Sequence, residues 1–128
     1  MTEQDFDLLS LIDRGDAAGL ETALRAGADA RQRDRRGVSV LAQAAARGDL
    51  AAVRLLLDHG ADVDQLSDAG NSPLMAAAAR GHLEVIATLL AAGADPESKN
   101  KWGLGAADWA QWPADSAEVL ALLRSRGG

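Results

Sequence analysis

The sequence predicts an all-α solenoid of helix–turn–helix units joined by hairpin-like loops, and three observations lead to this fold class. Short motifs recur at a fixed spacing of 33 residues along the chain of 128 residues. The apolar residues are mainly alanine and leucine, and aromatic residues make up only 3% of the chain. Glycine, serine and aspartate stand where helices begin and end. These features favour a stack of short, closely packed helices over a single globule.

The internal repeat defines the units. A period between about 20 and 50 residues is typical of stacked repeats, because one unit cannot bury its apolar face alone. The motifs in phase are Gly27-Ala28-Asp29 with its copies at 60–62 and 93–95, Arg14-Gly15 with its copies at 47–48 and 80–81, the glycines 37, 70 and 103, and the apolar columns 20/53/86/119 and 24/57/90/123. We predict a single domain over 1–128, with an N-terminal capping unit at 1–33, two units at 34–66 and 67–99, and a C-terminal capping unit at 100–128.

The helix boundaries follow from residues that cap helices. The first helix of a unit is predicted to begin at Ser39 or Ser72, with Pro73 at the first helical position, and to end at Gly48 or Gly81. The second helices are predicted to begin at Asp16, Asp49, His82 and Asp115 and to end at Gly27, Gly60 and Gly93.

The third unit has the clearest sequence signature: Gly70-Asn71-Ser72-Pro73-Leu74-Met75-Ala76-Ala77-Ala78, then Gly81-His82, Ile86, Leu89-Leu90 and Gly93-Ala94-Asp95. These residues resemble the ankyrin repeat, and the resemblance covers essentially the whole chain. Ser72 replaces the family's threonine, and Met75 replaces its histidine. The resemblance implies a protein that binds other proteins through loop tips and the exposed side of the first helices.

Composition and charge exclude several classes of function. The chain has no cysteine, which excludes disulfides, thiolate zinc sites and a cysteine nucleophile. The net charge of −6 argues against binding to nucleic acid or to anionic membranes. No apolar stretch approaches the roughly 20 residues of a membrane span, and the first residues lack the pattern of a secretory signal. We therefore expect a cytoplasmic protein; the excess of arginine over lysine favours a bacterial source.

The sequence shows no pattern that predicts catalysis. It has no phosphate-binding glycine loop, no nucleophile elbow and no pair of zinc-binding histidines on one helix. His59 and His82 are the only histidines, and we expect both to be structural. The aspartates 29, 62 and 95 recur at the repeat period, which indicates architecture. We expect no enzyme activity, no cofactor and no metal.

The candidate binding residues lie on the loop tips and at the ends of the first helices. The first loop is rich in arginine, and Arg14, Arg47 and Arg80 would form a basic column in a stack. Trp109 is expected in the core, whereas Trp102 and Trp112 are expected at the surface, where they either bind a partner or seal the C-terminal cap. The predicted partner-binding residues are Arg33, Arg35, Arg36, Arg47, Leu66, Asp68, Asn71, Arg80, Lys99, Lys101, Trp102 and Trp112.

The best functional interpretation is a monomeric protein-interaction module that acts as an adaptor or regulator. An inhibitor or immunity protein that neutralises a toxin or effector is the first alternative. A small enzyme or metal-binding protein, and a homo-oligomer that associates through the end with Trp102 and Trp112, are the others.

Overall fold

The computed structural model describes residues 8–109 and 116–127, which form eight helices. In chain order these are α1 (Leu8–Asp13), α2 (Ala17–Arg25), α3 (Val40–Arg47), α4 (Leu50–Asp58), α5 (Pro73–Arg80), α6 (Leu83–Ala91), α7 (Ala106–Trp109) and α8 (Ser116–Gly127). The helix start predicted at Asp115 and the predicted surface residue Trp112 lie outside the described residues.

The helices form two stacked layers. Consecutive helices pair, α1 with α2, α3 with α4, α5 with α6 and α7 with α8. The first helices of the pairs stack in the order α1, α3, α5, α7, and the second helices stack in the order α2, α4, α6, α8. We call these the inner and outer layers. The predicted all-α solenoid is confirmed.

Capping side chains set the helix starts, as the sequence predicts. The Ser39 hydroxyl accepts a hydrogen bond from the Ala42 amide at 3.0 Å, and the Ser72 hydroxyl accepts one from the Met75 amide at 3.2 Å. Asp16 and Asp49 cap α2 and α4 in the same way. His82 occupies the N-cap of α6 without a capping hydrogen bond from its side chain.

Glycine ends the inner helices α3 and α5. Gly48 has a φ of 70°, in the left-handed region that favours glycine. The amides of Gly48 and Asp49 then donate to the carbonyls of Ala45 and Ala44, which satisfies two acceptors at the end of α3. The outer helices end slightly earlier than predicted: α4 ends at Asp58, with His59 as its C-cap, because the glycine occupies the next position.

The loops between helix pairs are hairpins that pair with one another. Antiparallel bridges join residues 33 and 39 and residues 99 and 105. The Asp68 amide donates to the Arg36 carbonyl at 3.1 Å, and the Lys101 amide donates to the Ala69 carbonyl at 3.0 Å. These bonds hold successive hairpins in register. We call the row formed by residues 33–38, 66–71 and 99–104 the hairpin edge.

Small residues let the inner helices approach closely. Ala44 and Ala45 on α3 and Ala77 and Ala78 on α5 are fully buried, and α3 and α5 form the most extensive contact between helices. Larger aliphatic side chains belong to the same buried cluster as these alanines. This is the physical reason for the many alanines and few aromatics.

Candidate functional site

The hairpin edge carries large apolar side chains that are exposed to solvent. Within residues 8–109 and 116–127, the large hydrophobic side chains that are exposed are Leu66 (42% exposed), Trp102 (69%) and Leu104 (37%). All three lie on the hairpin edge. Large apolar side chains gathered on one edge indicate a binding surface more strongly than the same residues scattered singly.

The first and third hairpins of the edge also carry cations. Arg33, Arg35, Arg36, Lys99 and Lys101 are all exposed. The Arg36 guanidinium lies 4.0 Å from the Asp34 carboxylate, in a pair that is highly solvated on the arginine side. The structure shows no ion pair to the other four cations from the residues it describes. Their charges are therefore available to a partner.

Two polar side chains fix the shape of the hairpins. One Asp34 carboxylate oxygen accepts hydrogen bonds from the amides of Arg36 and Val38, at 2.8 and 3.0 Å. The side-chain oxygen of Asn100 accepts from the amides of Trp102 and Leu104, at 2.9 and 3.0 Å. The backbone that presents the arginines and the tryptophan is thus held by local hydrogen bonds.

An inner groove runs from the hairpin edge across the inner helices. Its volume is about 370 Å³, and Ala42, Met75, Ala76 and Ala79 form much of its lining. Arg36, in the first hairpin, and Arg80, at the end of α5, also line the groove. Pockets of this size and apolar lining accept side chains or small molecules.

Trp109 borders this groove, so the expectation that it belongs to the core is wrong in part. It packs against the core but is only partly buried. At the repeat spacing it follows Gln43 and Ala76, which also line the groove. The buried leucines 41 and 74 occupy a different position on the inner helices, which explains why Trp109 is less buried than they are.

The predicted binding residues have unequal surroundings. Leu66, Asp68, Lys99, Lys101 and Trp102 are exposed on the hairpin edge. The Asp68 backbone amide also joins the ladder between hairpins. The structure brings these residues together with the arginines at 33, 35 and 36 on one side of the molecule.

Arg47 and Asn71 make contacts between helix pairs. The Arg47 guanidinium donates to the Asp13 backbone carbonyl at 2.9 Å and lies 3.9 Å from the Asp13 carboxylate. The Asn71 side-chain oxygen accepts from the Asn100 amide group at 2.9 Å, while Asn71 also borders the groove. Arg47 therefore has a structural role that its place in a column of arginines does not predict.

Leu104 is not among the predicted binding residues, and the groove that the buried Met75 borders was not predicted either. Leu104 lies 33 residues after Asn71, which is among the predicted set, so the repeat column contained the signal that identifies it. Met75 stands where the resemblance places a histidine, and the groove that it lines depends on how two inner helices pack.

The regular aspartates and the histidines have structural contacts. Asp29, Asp62 and Asp95 each accept a hydrogen bond from the amide two residues later, which forms a local turn. His82 bonds the Ala46 carbonyl at 3.0 Å, and His59 bonds the Leu55 carbonyl of its own helix at 2.9 Å.

The described residues also bear on the metal-binding and membrane classes of function. The described segments bring together no group of three or more histidine or acidic side chains that could hold a metal ion. None of their helices is both long and apolar enough to cross a bilayer.

A family model described as ankyrin repeats, in three copies, matches residues 8–100. The chain belongs to the ankyrin-repeat family. Among curated proteins, no match to the chain was found. Ankyrin repeats are generally protein–protein interaction modules and are typically not enzymes. The fourth unit of the predicted division lies almost wholly beyond the matched range, so that division stays a prediction.

Proposed function

We propose that this ankyrin-repeat protein binds a partner protein along the hairpin edge and the inner groove, and acts as an adaptor or regulator by holding one segment of that partner. One observation carries the proposal: the exposed large apolar side chains of the described residues all lie on the hairpin edge, among five exposed cations. Tryptophan and arginine are the residues most enriched among those that dominate binding energy.

The rigidity of the edge supports the proposal. Hydrogen bonds that the Asp34 and Asn100 side chains accept from backbone amides hold the hairpin backbones, and bonds between successive hairpins hold their spacing. A surface that is already ordered loses little conformational entropy on binding. This favours a preformed docking surface over a segment that folds around its partner.

Affinity capture from the native source, followed by mass spectrometry, identifies the partner. Titration calorimetry then compares the wild type with Trp102→Ala and Arg35→Glu. We expect each substitution to weaken binding about tenfold or more with little change in melting temperature, because both side chains are exposed. Arg54→Glu on the exposed face of α4 is the control and should leave the affinity unchanged. Unchanged affinity in both edge variants would overturn the proposal.

An assay of the captured partner's own activity distinguishes an adaptor from an inhibitor. An inhibitor or immunity protein should abolish the partner's own activity at equimolar concentration, whereas an adaptor should leave it intact. Sedimentation at several protein concentrations tests the expected monomeric state; association that Trp102→Ala prevents would favour a homo-oligomer instead.

A further inference from the structure

The hairpin edge has the opposite charge to the molecule as a whole. The chain carries a net charge of −6, but the hairpin edge holds five cations and only two carboxylates, Asp34 and Asp68. One Asp34 oxygen accepts two backbone amides, and the other accepts from Gln43 at 3.3 Å and faces Arg36. The edge therefore carries a local excess of three positive charges, five cations against two carboxylates, on an acidic protein. The exposed carboxylates of Asp62, Asp95 and Glu97 lie just before its second and third segments in the sequence.

The cations are divided between the two ends of the edge. Two columns at the repeat spacing show this order. The first column contains Arg33, Leu66 and Lys99, and the second contains Arg35, Asp68 and Lys101. The hairpins pair in register through their backbones. The order along the edge is therefore a basic first hairpin, a middle hairpin with Leu66 and Asp68, and a basic third hairpin.

We propose that the hairpin edge selects an extended acidic segment of the partner protein. Carboxylates of this segment contact the first and third hairpins, and an apolar residue between them covers Leu66. The inference rests on the proposed function, because it specifies the chemistry of the partner at the same surface. Trp102, at 69% exposure, provides apolar contact beside the second carboxylate.

The repeat geometry sets the spacing of the two acidic positions. Packed helices lie about 8–10 Å apart, so hairpins two repeats apart are separated by roughly 16–20 Å. An extended chain rises about 3.3 Å per residue. The acidic positions of the segment are therefore about five or six residues apart.

The middle hairpin distinguishes this segment from a nucleic acid. A polyphosphate backbone carries charge along its whole length, so it would place an anion against the exposed Asp68 carboxylate. The net negative charge of the chain also repels a long polyanion. A protein segment has an uncharged residue at that point and avoids the repulsion.

The test is fluorescence anisotropy with the full chain and synthetic peptides. The probe is a fluorescein-labelled peptide with two glutamate pairs about six residues apart and a leucine midway. Comparison peptides replace glutamate by glutamine or bring the pairs about two residues apart. We expect the spaced acidic peptide to bind about tenfold more tightly than the glutamine peptide and several-fold more tightly than the short-spaced one.

Charge-reversal variants locate the contacts. Arg35→Glu and Lys101→Glu should each lower the affinity for the spaced acidic peptide about tenfold, whereas Arg54→Glu should leave this affinity unchanged. Added salt should also lower the affinity. The inference would be overturned if all three peptides bind equally or if none binds. It would also be overturned if an oligothymidine of similar length binds more tightly, or if the chain self-associates and Lys101→Glu abolishes this. A captured partner that depends on Trp102 but not on Arg35 or Lys101 would overturn it while leaving the proposed function intact.

Discussion

Individual side chains close the ends of the inner helices across the boundary between helix pairs. The Asp13 carbonyl at the end of α1 accepts a hydrogen bond from Arg47, and the Ala46 carbonyl, 33 residues later, accepts one from His82. Carbonyls in the last turn of a helix have no partner within the helix. Two different residue types therefore perform the same task at equivalent carbonyls.

The two histidines give a matched test of this contact. His82→Ala removes the bond to Ala46 and leaves a carbonyl without its side-chain partner, so we expect a loss of about 1–3 kcal/mol in the free energy of unfolding. His59→Ala removes an exposed contact within one helix and should change stability by less than about 0.5 kcal/mol. Urea denaturation measures both. Equal effects of the two substitutions would contradict a role for His82 between helix pairs.

At the scale of elements, one residue at the start of each hairpin organises its turn. Asp34, Ser67 and Asn100 follow one another at the repeat spacing. Each side chain accepts hydrogen bonds from amides later in the same hairpin. Asn100 is buried, at 7% exposure, and also donates to Asn71 of the preceding hairpin. The chemistry of the acceptor varies, but its position does not.

Substitution of Asn100 tests which of its bonds matters most. Asn100→Ala leaves the amides of Trp102 and Leu104 without their acceptor, so we expect a loss of about 2–3 kcal/mol in the free energy of unfolding. Asn100→Asp keeps the acceptor, as Asp34 does in the first hairpin, and should lose about 1 kcal/mol or less. Guanidinium denaturation followed by circular dichroism measures the difference. Equal losses would contradict the view that the bonds accepted from Trp102 and Leu104 are the main contribution of Asn100.

At the scale of the whole molecule, the extensive contacts among the described helices lie within one helix pair or between neighbouring pairs. Stability in such a stack is close to a sum of contributions from each pair and from each interface between neighbours. The central inner helices α3 and α5 have a neighbour on both sides, and they share the most extensive interface. The short helix α7, which spans Ala106–Trp109, has much less.

Hydrogen exchange should show this gradient. We expect the amides of α3 and α5 to exchange most slowly and those of α1 and α7 to exchange faster, because opening an end of the stack breaks one interface rather than two. Native-state exchange followed by mass spectrometry of peptic fragments measures the order. Uniform protection across these four helices would contradict the prediction and indicate one cooperative unit.

The sequence was sufficient for the fold and for part of the candidate site. The repeat spacing and the capping residues, such as Ser39, Ser72 and Gly48, predict where the inner helices begin and end, because capping depends on hydrogen bonds within a few residues. The loop positions of the arginines and of Trp102 followed from the same repeat. Their exposure follows because loop tips project from the stack.

The remaining features depended on contacts between distant residues. Arg47 meets Asp13, Asn71 meets Asn100, and Trp109 packs against the core while also bordering a groove. The sequence by itself determined the helices, the repeat and the charge of the hairpins, since these are local or periodic properties. Only the tertiary structure decided which side chains are used between helix pairs and which stay available to a partner, because that depends on the packing of residues about 30 positions apart.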